Sequence, residues 1–208
     1  AAARANLELQ QYADRAVSAA QLRRLVTRGE QQIRRGLEPL GYYEARVAGS
    51  IAGQAPRWEV RFEVAPGERV RVRRADVSVE GPARELEAVR RAVEAFELRA
   101  GEPLEHALYE AGKSRIGSAL QANGFFDAEL LRHRVEVTRR ARSADIDLAW
   151  RSGERYRFGE VAFSEAQFPP AFLRRYVPWR PDAWYSVEDL LLLQQRLVDA
   201  DYFSTVSV

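Results

Sequence analysis

The chain has 208 residues, of which 46% are hydrophobic and 30% charged. This is a globular composition, long enough for one or two ordinary domains or several small ones. Thirty-two basic against 30 acidic residues leave a net charge of +2, too small an excess for a dedicated nucleic-acid binder. Lys113 is the only lysine, and the arginines alternate with carboxylates along the chain. The absence of cysteine removes disulfides, thiolate metal sites and cysteine nucleophiles. No apolar run approaches the ~18 residues of a spanning helix, and Ala1–Gln11 lacks a signal-peptide core. The chain thus reads as a cytosolic protein or as a processed piece of an exported one.

In chain order, Asn6–Val17 reads as a short helix with Leu7, Leu9 and Tyr12 inward. Ser18 with Gln21 is a capping-box pattern opening a long helix. Its apolar face is Leu22, Leu25, Val26, Gly29, Ile33, Leu37 and Leu40; Pro39 distorts its last turn and Gly41 stops it. Tyr42–Ile51 and Arg57–Ala65 then read as a hairpin, with Trp58, Val60, Phe62 and Val64 facing one side. Val70, Val72, Val77 and Val79 mark a strand, and Pro82–Leu98 a shorter helix with Leu86, Val89, Val93 and Phe96. A second long helix carries Leu104, Leu108, Ala111, Ile116, Ala119, Leu120 and Asn123 on one face and stops at Gly124. Strands follow at Leu131–Val137 and Ile146–Trp150. Tyr156, Phe158, Val161 and Phe163 open a further strand, and Pro170–Val177 is again a short helix. Ser186 opens a last helix with Val187, Leu190, Leu191, Gln194, Leu197 and Val198 inward.

Two markers repeat. A helix end followed by a turn residue and two aromatics occurs at Gly41-Tyr42-Tyr43, Gly124-Phe125-Phe126 and Asp201-Tyr202-Phe203, in steps of 83 and 77 residues. Pro66-Gly67-Glu68-Arg69-Val70-Arg71-Val72 returns 86 residues later as Ser152-Gly153-Glu154-Arg155-Tyr156-Arg157-Phe158. Independent markers at similar steps define three copies of one unit, strand–helix–helix–strand–strand. Elements with one apolar face each must form two layers. Gly67 and Gly153 are turn residues between strands, and each aromatic pair sends one ring to a core.

This β-α-α-β-β order, with Gly-aromatic-aromatic entering the second strand, resembles the POTRA (polypeptide-transport-associated) domain. Ser152–Phe163 together with Leu40-Gly41-Tyr42-Tyr43 is similar to the TamA family of outer-membrane assembly proteins, within the BamA-like superfamily. The resemblance implies an α+β fold of three tandem POTRA domains, each with two helices on a three-stranded mixed sheet. Their ranges are 1–67, lacking a first strand, then 68–152, then 153–208, lacking the last strand. It also implies a periplasmic location, attached to the outer membrane by a C-terminal β-barrel outside this chain. The implied partners are that barrel, an inner-membrane-anchored TamB-like subunit and unfolded outer-membrane or autotransporter substrates, with no nucleic acid. The POTRA region of a BamA-like barrel is the nearest alternative, and a cytosolic RNA-binding module a more distant one.

Catalytic chemistry has no constellation to rest on. His106 and His133 are the only histidines and stand apart, no serine has a nucleophile-elbow context, and no glycine run cradles phosphate. The expectation is therefore no catalytic residue, no metal and no cofactor. The mechanism open to such a module is strand addition at a sheet edge. The resemblance places the partner at Glu44-Ala45-Arg46-Val47, and leaves Trp58–Val64 an unprotected edge through which this chain self-associates. The structural motif residues are Gly41, Tyr42, Gly67, Gly124, Phe125, Gly153 and Tyr202.

Overall fold

The computed structural model describes residues 7–13, 15–55, 57–164, 168–200 and 206–207. The chain groups into two compact units. One comprises 1–76, 97–110 and 134–147; the other comprises 77–96, 111–133 and 148–208. No helix among the described residues is long and apolar enough to cross a membrane.

In the first unit, a 3-10 turn at Glu8–Tyr12 precedes helix α1, Ala19–Leu37. Ser18 Oγ accepts from Gln21 N–H at 3.2 Å, the N-cap that the sequence announces. Leu22, Leu25, Val26, Gly29 and Ile33 are buried, whereas Leu40 is exposed. Pro39 cannot continue the α-helical ladder, so Glu38–Leu40 tightens to 3-10 and Gly41 closes it at φ 88°.

Strands β1, Arg46–Gln54, and β2, Arg57–Ala65, form an antiparallel hairpin in which Arg46 faces Ala65 and Val60 faces Ile51. Gly49 lies against α1, where an added Cβ would collide with Val26. The expected strand start at Tyr42 is too early. Residues 41–45 are turn and coil, because the left-handed Gly41 and the turn at Tyr43-Glu44 do not offer extended geometry.

The middle of the chain runs β3 Arg71–Glu80, α2 Glu87–Glu94, α3 His106–Ala122, β4 Glu129–Thr138 and β5 Ser143–Arg151. Its sheet order is β3-β5-β4, so the last strand is central, as a β-α-α-β-β unit requires. Arg71 N–H donates to Arg142 C=O, and Ser152 N–H to Glu80 C=O, which makes β3 and β5 parallel. Between these two bonds β3 holds one residue more than β5, a bulge. The buried positions shift accordingly, from Val72 before it to Val79 after it. β5 carries four fully buried residues: Ala144 and Ile146 belong to the first unit, Leu148 and Ala149 to the second.

In the second unit, Gly112 allows the ring of Phe96 to press on α3. The C-terminal part has helix α4, Pro170–Leu173, a 3-10 turn at Arg174–Tyr176, and helix α5, Val187–Asp199. Its core is Leu173, Leu193 and Leu197, surrounded by Phe163, Phe168, Phe172, Trp179 and others.

Three expectations are corrected here. Leu191 and Val198 of α5 are exposed and Leu193 is buried, because four consecutive leucines leave the helical phase open. Ala111 of α3 is exposed, and Tyr109 and Gly112 are buried instead. The strand expected from Tyr156 to Phe163 is only a single bridge, Arg157 to Trp184. β3 is held by its neighbour β5, and no described strand plays that part for 156–163.

Candidate functional site: a duplicated joint and its strand edges

The two marker motifs meet in space, twice. In the first unit Gly41 is left-handed, and its carbonyl accepts from Val70 N–H at 2.9 Å. In the second unit Gly124 has φ 85°, and its carbonyl accepts from Tyr156 N–H at 2.8 Å. Arg69 Nε donates to Leu40 C=O and Arg155 Nε to Asn123 C=O, both at 2.8 Å. Leu104 N–H donates to Val70 C=O, as Tyr185 N–H does to Tyr156 C=O. Val72 N–H reaches Glu102 C=O, as Phe158 N–H reaches Ala183 C=O. Arg71 Nη1 reaches Gly101 C=O at 2.7 Å, and Arg157 Nη1 reaches Asp182 C=O at 2.5 Å. Gly101 and Asp182 are both left-handed, at φ 94° and 58°. Gly67 and Gly153, at φ 75° and 68°, make the turns that bring each Glu-Arg segment into place.

The two sites therefore share a backbone frame in which each arginine ties a helix end to the segment that follows Gly67 or Gly153. Net contributions of about 1 kcal/mol per neutral bond, somewhat more for the guanidinium ones, sum to a connection that a single thermal kick does not open. Burial pushes the Arg155 guanidinium below its usual range, assisted by Arg157.

The side chains differ between the joints. At the first, Tyr43 Oη lies 2.7 Å from His106 Nε2, and the Arg139 guanidinium sits 5.8 Å from the Tyr43 ring centre. Burial, then Glu38, raises the Tyr43 phenol above its ordinary range, opposed by Arg139. At the second, Phe125 is 2% exposed and Phe126 48% exposed, so the aromatic pair divides as expected. Tyr156 Oη donates to Asp127 at 2.9 Å, and this bond is the main cause that raises its phenol. Tyr42 lies half-buried under Arg69. Tyr202 lies outside the described residues.

The sheet edges decide where an extended peptide can add. Gly49 N–H donates to Glu30 Oε1 at 2.8 Å, so it points away from β2. By strand alternation Val47 and Ile51 point outward with it, whereas Arg46 N–H faces β2. Of the four residues expected at the docking edge, Glu44 lies in a turn and Ala45 in coil. Only Arg46 and Val47 are in β1. Glu30 caps the middle of that edge. On β2 the outward backbone groups belong to Trp58, Val60, Phe62 and Val64, and β1 is the only strand paired with β2 among the described residues.

A third edge was not foreseen. β3 is an outer strand, and its first turn is covered by the bonds of Val72 to Gly101 and Glu102. Glu80 C=O faces β5, so Val79 and Val77 turn their backbone outward. Beside them lies a groove of about 590 Å³ between β3 and α2, lined by Val77, Val79, Val89 and Val93 with Arg84 and Arg90. The alternating valines of 77–79 and the i, i+4 pair 89–93 were the available sequence signal. Among the described residues no group of three or more His, Asp or Glu is placed to hold a metal.

Residues 1–66 match the family model described as POTRA domain TamA domain 1. The fold is similar to that of POTRA3-5 of Haemophilus influenzae BamA, with 18% identity and a TM-score of 0.50 over 91% of this chain and 73% of that one. The N-terminal domain of Omp85 from Thermosynechococcus elongatus aligns with 93% of this chain and 86% of its own, at 18% identity and a TM-score of 0.36. BamA from Haemophilus ducreyi lacking POTRA domains 1-3 aligns at 20% identity and a TM-score of 0.34, over 69% of this chain and 24% of that one. The chain has the α+β architecture of POTRA domains.

Proposed function

We propose that this chain is the periplasmic POTRA region of an outer-membrane protein assembly or translocation factor of the TamA type. It comprises repeats over 1–67, 68–152 and 153–208 and is anchored by a β-barrel. It docks an inner-membrane-anchored TamB-like subunit and guides unfolded outer-membrane substrates by strand addition, without catalysing a reaction. The match of residues 1–66 to a TamA first-domain model favours this reading over a BamA-like one.

The observation that carries strand addition is the β3 edge with its apolar groove. A peptide laid along Val77–Val79 finds free backbone donors and acceptors, and every second side chain enters the space floored by Val79 and Val89. The first repeat is the docking end for the partner, where Val47 directs its N–H outward beside Glu44, Ala45 and Arg46.

The test is titration of a peptide copying the last strand of an outer-membrane barrel protein. Val79→Pro removes an outward N–H without touching the β5 ladder, and Val93→Asp puts charge into the groove. Both are expected to weaken binding at least about tenfold, the equivalent of 1.4 kcal/mol. Unchanged affinity in both folded variants rejects this edge.

A further inference from the structure

The first unit holds a cleft of about 250 Å³ whose chemistry strand addition does not use. Its lining includes Gln31, Arg34, Arg35, Glu38, Tyr43 and Arg139. The first four follow one face of α1 into the 3-10 turn, while Arg139 comes from the turn between β4 and β5. Arg34 and Arg35 in the last turn also compensate the exposed carbonyls of α1. That role accounts for two arginines on the helix. It does not account for a third brought to the same cleft from a distant strand pair.

The cleft gathers more guanidinium groups than carboxylates, whereas Arg73 stands against Asp145 and Arg142 against Glu44 and Glu68. Here Arg34 shares Glu30 at 3.4 Å, and Arg139 reaches Glu38 only at 3.7 Å. Glu30 is also the acceptor for Gly49 N–H, so its charge is divided. Among the described residues the Arg35 side chain has no ion pair or hydrogen bond. Three guanidinium groups thus meet two carboxylates, Glu38 in the lining and Glu30 paired with Arg34, with the Gln31 amide and the Tyr43 phenol as additional polar groups.

We propose that this cleft is an anion site for a phosphomonoester group. Guanidinium forks match the tetrahedral oxygens of a phosphate and bind it through paired hydrogen bonds. The chemistry is shared by a free phosphate and by a lipid headgroup that ends in a phosphomonoester, and the rim is exposed enough for either.

The experiment follows the arginine side-chain resonances of the 208-residue chain during titration with inorganic phosphate. In parallel the chain is sedimented with phosphatidylcholine vesicles made with or without phosphatidic acid. Saturable shifts at Arg34, Arg35 and Arg139 are expected, weakened at least about tenfold by Arg35→Gln and by Arg139→Gln. Arg23→Gln, on α1 but outside the cleft lining, is expected to change nothing. A response to phosphate alone assigns a soluble ligand. Co-sedimentation that needs phosphatidic acid and is lost in Arg35→Gln assigns a headgroup. No saturable response to either probe, or equal responses in Arg35→Gln and Arg23→Gln, overturns the site.

Discussion

Arg69 and Arg155 occupy the same place in two copies of one hydrogen-bonded frame, each donating Nε to the carbonyl just before a left-handed glycine at 2.8 Å. Each also stacks on an aromatic ring, Arg69 on Tyr42 and Arg155 on Trp184. The arginines tie the ends of the two long helices to the segments that follow Gly67 and Gly153. Arg69→Ala is therefore expected to raise amide exchange at Val70 and Leu104, and Arg155→Ala at Tyr156 and Tyr185. Core amides such as Ile146 should keep their protection. Hydrogen exchange read residue by residue checks this, and uniform acceleration would mean that the arginines support the whole fold rather than the joint.

The glycines of the frame are irreplaceable for two distinct reasons. Gly41 and Gly124 both have positive φ, but a Cβ on Gly41 would lie 2.6 Å from Leu104 C=O. On Gly124 it would lie 3.0 Å from Tyr185 Cβ. Gly124→Val should cost about 1–3 kcal/mol through the backbone conformation. Gly41→Ala should cost more than Gly124→Ala, because a backbone carbonyl cannot swing aside. Thermal melts of the variants compare them directly.

Helix glycines give a sign test. Gly36 on α1 has nothing within 4 Å of an added Cβ, whereas on Gly112 of α3 it would overlap the Phe96 ring. Gly36→Ala is expected to stabilise by about 0.5–1 kcal/mol, and Gly112→Ala to destabilise by about 1–3 kcal/mol through overpacking. Chemical denaturation with unchanged slope would confirm both signs.

How much of this was legible in the sequence depends on whether the cause is local. Gly41, Gly124, Gly67 and Gly153 announce themselves, since turn chemistry is written in the residue that needs it. Ser18 and Pro39 do the same for the ends of α1. Asp182 was not readable as the partner of Gly101: the segments Gly101–Leu104 and Asp182–Tyr185 share no residue, and only their hydrogen bonds align them. Glu30 capping Gly49, and Arg139 arriving beside Arg35, are tertiary events with no trace in local pattern. The failed strand at 156–163 shows the same limit, because alternation describes a side chain's preference and not the presence of a neighbouring strand.

One ion pair carries a pH signature. Hydrogen bonding to Arg73 holds the half-buried Asp145 carboxyl below its ordinary range. A depressed carboxylate adds stability that is complete above its unfolded value, about 3.9, and lost as the pH falls through its folded value. Asp145→Asn should remove that increment at neutral pH, a small one because Arg73 is exposed, and leave stability at low pH unchanged, so that this part of the acid-stability profile flattens.

The β2 edge gives the sharpest test of the strand alternation. Trp58, Val60, Phe62 and Val64 turn their backbone groups away from β1, and their side chains make the strand apolar on one face. Trp58 Nε1 is anchored on Val17 C=O at 3.3 Å, which fixes the start of the strand against the segment before α1. An alternating strand with one open side pairs readily with a copy of itself. Sedimentation velocity is expected to show concentration-dependent dimers. Val60→Pro deletes an outward N–H, so it should abolish the dimer while the monomer stays folded. Arg61→Pro deletes an N–H that bonds to β1, so it should destabilise the hairpin itself. Glu30→Ala frees the Gly49 amide on the opposite edge and should increase association beyond wild type. If Val60→Pro leaves dimers intact, association runs through another surface. If Val60→Pro unfolds the hairpin as Arg61→Pro does, the alternation deduced from Gly49 and Glu30 is reversed.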